Sequence, residues 1–105
     1  MSSQNRAMTA LTIHHDTEAG RFTTQVDGRQ GEATYRLVNG PAGPVMHLVH
    51  TGVPAALQGR GVAADLVAAA LAEARAQGWR VRPVCSYVRA YMRRHPETQD
   101  LLEPA

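Results

Sequence analysis

Lysine is absent from the 105 residues: all 11 basic positions are arginine, set against nine acidic ones for a formal charge of +2 and a pI near 9.2. That balance is too mild, and a single Phe too few aromatics, for a nucleic-acid partner, which needs a strong basic face. Only one cysteine, Cys85, occurs, so no internal disulfide can form, and a lone thiol fits a reducing compartment. No apolar run approaches the roughly 18 residues of a membrane span, and the polar start MSSQNRA is unlike a secretory signal. The expectation is a cytoplasmic protein with no membrane partner. Internal repeats and low-complexity linkers are also lacking. The chain is short enough to be one domain, with residues 1–7 a disordered tail and 8–105 the folded unit. Arginine is the better bidentate phosphate ligand, so a phosphorylated small molecule fits the composition.

What is present is a run of short alternating segments. "TALTIHHD", "GRFTTQVDG" and "GEATYRLVNG" alternate apolar and polar residues and are separated by the turn signals Asp27-Gly28 and Asn39-Gly40, which predicts an antiparallel meander. "GPVMHLVHTGV" is apolar on both faces except at His47 and His50, as an interior strand would be. Gly52, which permits a bulge, and Pro54, which cannot donate to a ladder, should make it peel from its neighbour. From Gly61 to about Gln77 the apolar residues recur at helical spacing, and Gly78 stops them. "WRVRPVC" reads as a strand near an edge because of Pro83. Ser86 is placed to cap a last helix over about Tyr87 to Arg94, which His95-Pro96 ends.

The junction "LQGRGVAADLVAAAL", residues 57–71, runs a loop with two glycines into that helix. A helix start has N–H groups without partners and partial positive charge, and is suited to phosphate. Gly59 and Gly61 remove side chains that would keep a pyrophosphate from the backbone, and Arg60 can add charge. No Lys-Ser or Lys-Thr follows, so this is not a P-loop; no third glycine makes it a dinucleotide fingerprint. An isolated pair of glycines also serves simply to shape a strand-to-helix turn.

"QGRGVA", Gln58 to Ala63, fits the Q/R-x-x-G-x-G/A motif, and the chain here resembles the GNAT superfamily of N-acetyltransferases. "HTGVPAALQGRGVAADLV" and "VRPVCSYVRAYMRRHPETQDLL" resemble its shortened, single-domain branch, and the likeness covers about Thr9 to Leu102. The resemblance implies an α/β (α+β) fold: a mixed, mostly antiparallel sheet of about five strands with two helices. It implies a parallel pair, ending near Thr51 and Cys85, that splays apart around the pantetheine arm of acetyl-CoA. The cofactor residues it implies are Val53, Gln58, Gly59, Arg60, Gly61, Val62 and Ala63. Arg89, in a basic cluster with Arg82, Arg93 and Arg94, is a candidate for the 3′-phosphate or an acidic partner.

Acyl transfer needs a nucleophile, a proton route and donors for the carbonyl oxygen. The backbone near Val53 could supply those donors. Where the shortened branch usually has a glutamate this chain has Gly52, which sets a carboxylate base in doubt. Cys85 is a candidate nucleophile: it lies at a helix start between Arg82 and Arg89, which would lower its pKa. Free cysteine also often serves as a small buried hydrophobe. His50 and His95 are candidate proton acceptors, as the histidine side chain in general can be, though His95 suits the end of its helix. His47 and His50, three apart on a strand, should face opposite sides, and no metal site is expected. The resemblance makes Tyr91 a possible proton donor to the leaving thiolate, while packing is the ordinary reason for Tyr87 and Tyr91 there. The chain therefore reads as an acetyl-CoA-dependent N-acetyltransferase with an unidentified amine acceptor, small molecule or protein. The alternative is a non-catalytic acyl-CoA-binding or protein-docking module.

Overall fold

The structure, a computed structural model, describes residues 11–104; the expected tail over residues 1–7, and Thr9 and Ala10 of the first predicted strand, lie outside the described residues. Four strands follow one another, β1 (Ile13–Asp16), β2 (Arg21–Val26), β3 (Arg29–Gly40) and β4 (Gly43–Gly52). They are paired antiparallel in chain order. Helix α1 (Val62–Gln77) leads to β5 (Arg80–Pro83), and helix α2 (Ser86–Arg94) follows. The sheet order is β1-β2-β3-β4-β5, and only β4 and β5 run parallel. The crossover helix is what allows that parallel pairing. The predicted fold class is the observed one.

The β2–β3 turn has Asp27 and Gly28 at φ 51° and 76°, the left-handed pair that a two-residue hairpin needs. The second turn differs from expectation. Asn39 and Gly40 remain in the ladder opposite Pro44 and Gly43, and Pro41-Ala42 makes the reversal. The β3–β4 hairpin therefore reaches two pairs further than the Asn-Gly signal suggested.

One face of the sheet packs on the helices. Phe22, Ala33, Tyr35, Met46, Leu48 and Val81 share a core with Leu66, Val67 and Ala70 of α1 and with Val88 and Met92 of α2. Gly31 lets α1 approach closely: a Cβ there would lie 3.1 Å from Val62 Cγ1 and 3.3 Å from Leu66 Cδ1. Each fully buried side chain of this size contributes about 1.5–3 kcal/mol. The outer edge of β5 is closed by the C-terminal segment. Leu102 bridges Val81, Glu103 N–H donates to Val81 O at 3.1 Å, and Arg82 pairs with Glu103.

β4 carries a bulge that alternation did not reveal. Tyr35 lies opposite Leu48 but Thr34 opposite His50, so Val49 is the extra residue. Past it the pleat is out of step. Thr51, opposite Ala33, turns to the helix side. His50 and Gly52, opposite Thr34 and Glu32, turn to the other face. His47, opposite the exposed Arg36, shares that face with His50, contrary to their expected opposition.

Candidate active site

β4 and β5 are paired only from Val45 opposite Arg80 to Leu48 opposite Pro83. Leu48 O then accepts N–H donors from Val84 at 3.0 Å and Cys85 at 2.9 Å, and the strands part. Pro83 has no N–H to extend the ladder. β4 continues beside β3 to Gly52, while the other chain turns at Cys85 into α2. Thr51 Oγ1 and Cys85 Sγ face each other across the opening at 3.7 Å.

In front of this opening lies a cleft of about 450 Å³ that reaches to the start of α1. Val53, Gln58, Gly59, Gly61, Val62 and Ala63 of the expected cofactor set line it. Thr51, Leu57, Ala64 and Tyr87 also do; no spacing rule singled these out. Gly59 and Gly61 are left-handed at φ 79° and 81°, and a Cβ at either would meet nothing within 4 Å. Their conformation, rather than crowding, demands glycine. Gly61 is the residue before α1 and no side chain caps the helix, so its first N–H groups remain available to a ligand. Gln58 Nε2 donates to Val53 O at 3.2 Å and ties the loop to the strand end.

Arg60 does not line the cleft; its Nη1 donates to Asp27 Oδ2 at 3.1 Å in an exposed ion pair with the β2–β3 turn. Arg89 is directed elsewhere too, donating to Val84 O at 2.6 Å and Pro83 O at 3.3 Å and lining a separate groove with Met92 and Leu102. The positive character of the cleft is therefore that of backbone N–H groups.

Cys85 is the residue before α2, a position expected for Ser86, which is instead the first helical residue. Partial burial pushes the thiol pKa up. This is outweighed by the Val88 N–H, the Thr51 hydroxyl and the N–H groups of Tyr87 and Thr51, which together hold it below the ordinary value. The direction matches expectation, but the cause is these donors rather than Arg82 and Arg89. Arg82 is engaged by Glu103.

His50 is 58% exposed on the opposite face of the sheet, its Nε2 3.8 Å from Glu32 Oε2. Tyr91 stacks on His95 at 3.9 Å and borders a second hollow with Ala68 and Leu71, one turn along α2 from Tyr87. Burial first, then Glu97, Tyr87 and Asp65, raise the Tyr91 pKa and keep its proton on. His95 Nδ1 contacts Tyr91 O at 2.7 Å, the helix-end role expected of it.

A parallel strand pair that parts in front of an uncapped helix start defines a class of α/β protein with an open cleft between the strand ends and the helix. Within that class the chain belongs to the GCN5-related N-acetyltransferase family, whose model matches residues 21–101. It is 30% identical over 91 residues to Protein NATD1 of Gallus gallus, covering 87% of this chain and 82% of that protein. It is equally similar to Protein NATD1 of Homo sapiens, covering 80% of that protein. A GCN5-like protein of Staphylococcus aureus, solved in solution by NMR, has the same fold, with a TM-score of 0.69, 26% identity and 90% of each chain covered. No helix among the described residues is long and apolar enough to cross a membrane.

Proposed function

We propose that this protein, as one domain over residues 8–105, is an acetyl-CoA-dependent N-acetyltransferase acting on an amine. The observation that carries this reading is the cleft itself, which joins the parting of β4 and β5 to two left-handed glycines and an uncapped helix start. The family generally uses acetyl-CoA, and the residues present fit it. The N–H groups at the start of α1 suit a pyrophosphate, and Val53, Leu57 and Val62 give apolar walls for the pantetheine arm. When bound, acetyl-CoA supplies an acetyl group activated as a thioester.

The chain's own groups divide the remaining work. Thr51 and Cys85 stand where β4 and β5 open, and the donors that lower the Cys85 thiol favour a nucleophilic thiolate in a covalent route. In the direct route the amine's proton passes to the end of β4, where His50 stands beside Glu32. Tyr87 and Tyr91 lie one turn apart on α2, and this tyrosine face protonates the leaving thiolate; Tyr87 is the one that lines the cleft. The site lies in the reducing cytoplasm.

Calorimetric titration with acetyl-CoA, with free CoA alongside, tests the assignment. Saturable binding that Gly61→Trp abolishes is expected, since an indole at 61 fills the open space and cannot adopt φ 81° without strain. A folded wild-type protein that binds neither thioester nor CoA would sink it. Gly52, where the branch usually has a glutamate, favours a second reading, a binding module without transfer. Binding without acetylation of any amine is its signature.

A further inference from the structure

The face of the sheet turned away from the helices holds a group that neither the loop motif nor the cleft uses. The bulge at Val49 sends His50 and Gly52 to that face, and Glu32 of β3 lies directly opposite Gly52 in the ladder. A Cβ built on Gly52 would sit 2.9 Å from His50 Nε2, 3.6 Å from Glu32 Cγ and 3.7 Å from Glu32 Oε2. A side chain at 52 would therefore displace the tip of His50 and stand in contact with Glu32. A glutamate at 52 and Glu32 would share one neighbourhood.

The oxygens of Glu32 are also open to a donor. It is 31% exposed at the side chain, with Arg21 Nη1 3.8 Å from Oε1 and His50 Nε2 3.8 Å from Oε2. Both separations exceed hydrogen-bond length, so the carboxylate is near two potential cations while its lone pairs remain open to a donor. Beyond this pair, the register sets Thr23 opposite Glu32 and His14 opposite Thr23, while Asp16 lies opposite Arg21; Thr34 lies opposite His50. No other element supplies an ion pair to Glu32 among the described residues.

We infer that Glu32, held by His50 and Arg21, is the proton-accepting carboxylate for a primary amine that enters from the face of the sheet turned away from the helices. This deepens, and rests on, the acetyltransferase reading. Thr51 and Cys85 open to the cleft side, and Gly52, Glu32 and His50 to the other, so donor and acceptor approach the end of β4 from opposite faces. The amine arrives as an ammonium ion and gives one proton to Glu32. The lone pair thus freed forms the nitrogen–carbon bond as the carbon–sulfur bond breaks, the tyrosine of α2 gives its proton to the thiolate, and a second nitrogen proton restores the tyrosine. Glu32 then returns its proton to solvent. The missing glutamate of β4 is in this view replaced from β3, and a side chain as small as glycine at 52 is what admits it.

The test uses the full chain, with acetyl-CoA and a mixture of spermidine, tyramine and a lysine peptide as probes. Acetylated products are measured by mass spectrometry and acetyl-CoA affinity by calorimetry. Glu32→Gln is expected to bind acetyl-CoA as wild type does, to transfer at least about tenfold more slowly, and to shift the acidic limb of the pH–rate profile. Glu32→Gln/Gly52→Glu should recover transfer by returning a carboxylate to the same place, which a merely structural role for Glu32 would not predict. Equal rates and an unchanged pH profile in Glu32→Gln, with wild type active, overturn the inference and leave the acetyltransferase standing. Wild type that binds acetyl-CoA yet acetylates none of the probes overturns it as well and supports the binding module. Loss of binding in wild type strikes the earlier reading itself.

Discussion

Cys85 takes its chemistry from the N–H groups of its own helix start, Val88 and Tyr87, and from a distant strand, not from the arginines that flank it in sequence. Its two nearest arginines are drawn away, Arg82 to Glu103 and Arg89 to backbone carbonyls, while Thr51, 34 residues distant, supplies a hydroxyl at 3.7 Å. Each donor favours the thiolate and so lowers the pKa against the rise from burial. The sign gives a direct expectation. At neutral pH wild-type Cys85 should be alkylated by iodoacetamide faster than an ordinary thiol, because more of it is thiolate. Thr51→Val removes one donor, so the midpoint of the rate-against-pH curve should move up and neutral-pH alkylation should slow severalfold. An unmoved midpoint would mean that the N–H groups of Tyr87 and Val88 set the thiol alone. Gly20 makes the opposite point about space: at φ 69°, a Cβ would come within 2.5 Å of Tyr35 O. Gly20→Ala should therefore destabilise by more than the roughly 1 kcal/mol of a simple left-handed glycine, read as a fall in urea midpoint beyond that of Gly28→Ala, where no atom lies within 4 Å.

At the scale of elements, the α1 segment was legible because its signals agree: apolar residues at helical spacing, two loop glycines before it and Gly78 after it at φ 75°. β4 was legible as interior from its apolar run, and β5 as an edge from Pro83. A bulge was expected at Gly52, but its place at Val49 was not legible, because an extra residue leaves no mark in composition, and everything facing the acceptor side follows from it. Alternation set His47 and His50 on opposite faces; ladder register puts them on one and joins Glu32 to them. The second turn misled for a related reason, since Asn39-Gly40 is a strong local signal overridden by pairing that runs on to Gly43. Of the cleft, the loop residues were readable from one contiguous motif. Thr51, Leu57 and Tyr87 were not, because they meet only where three elements converge. The packing of α1 on β3 can be tested through Leu66, which is fully buried. Leu66→Ala should cost about 2–5 kcal/mol, seen in urea melts. Gly31→Val should destabilise as well, because Val62 and Leu66 must both give way.

For the molecule as a whole, the decisive feature is that the helices among the described residues cover only one face of the sheet. A domain of this size has a modest net stability, and an open cleft beside the end of β4 adds little to it. Binding must then register strongly on the folding equilibrium. A ligand at a hundred times its Kd stabilises the folded state by about 2.7 kcal/mol. For a chain of about 100 residues, each kcal/mol corresponds to roughly 4–8 °C in Tm. Acetyl-CoA at that excess should therefore raise the melting temperature by about 10 °C or more. Gly61→Trp should melt without responding to the ligand, because its lesion is in the cleft. Glu32→Gln should keep the full shift, because the carboxylate stands on the opposite face and meets the amine rather than the nucleotide. If Glu32→Gln lost the shift as Gly61→Trp does, the two faces would not be separate, and the acceptor could not enter from the side turned away from the helices.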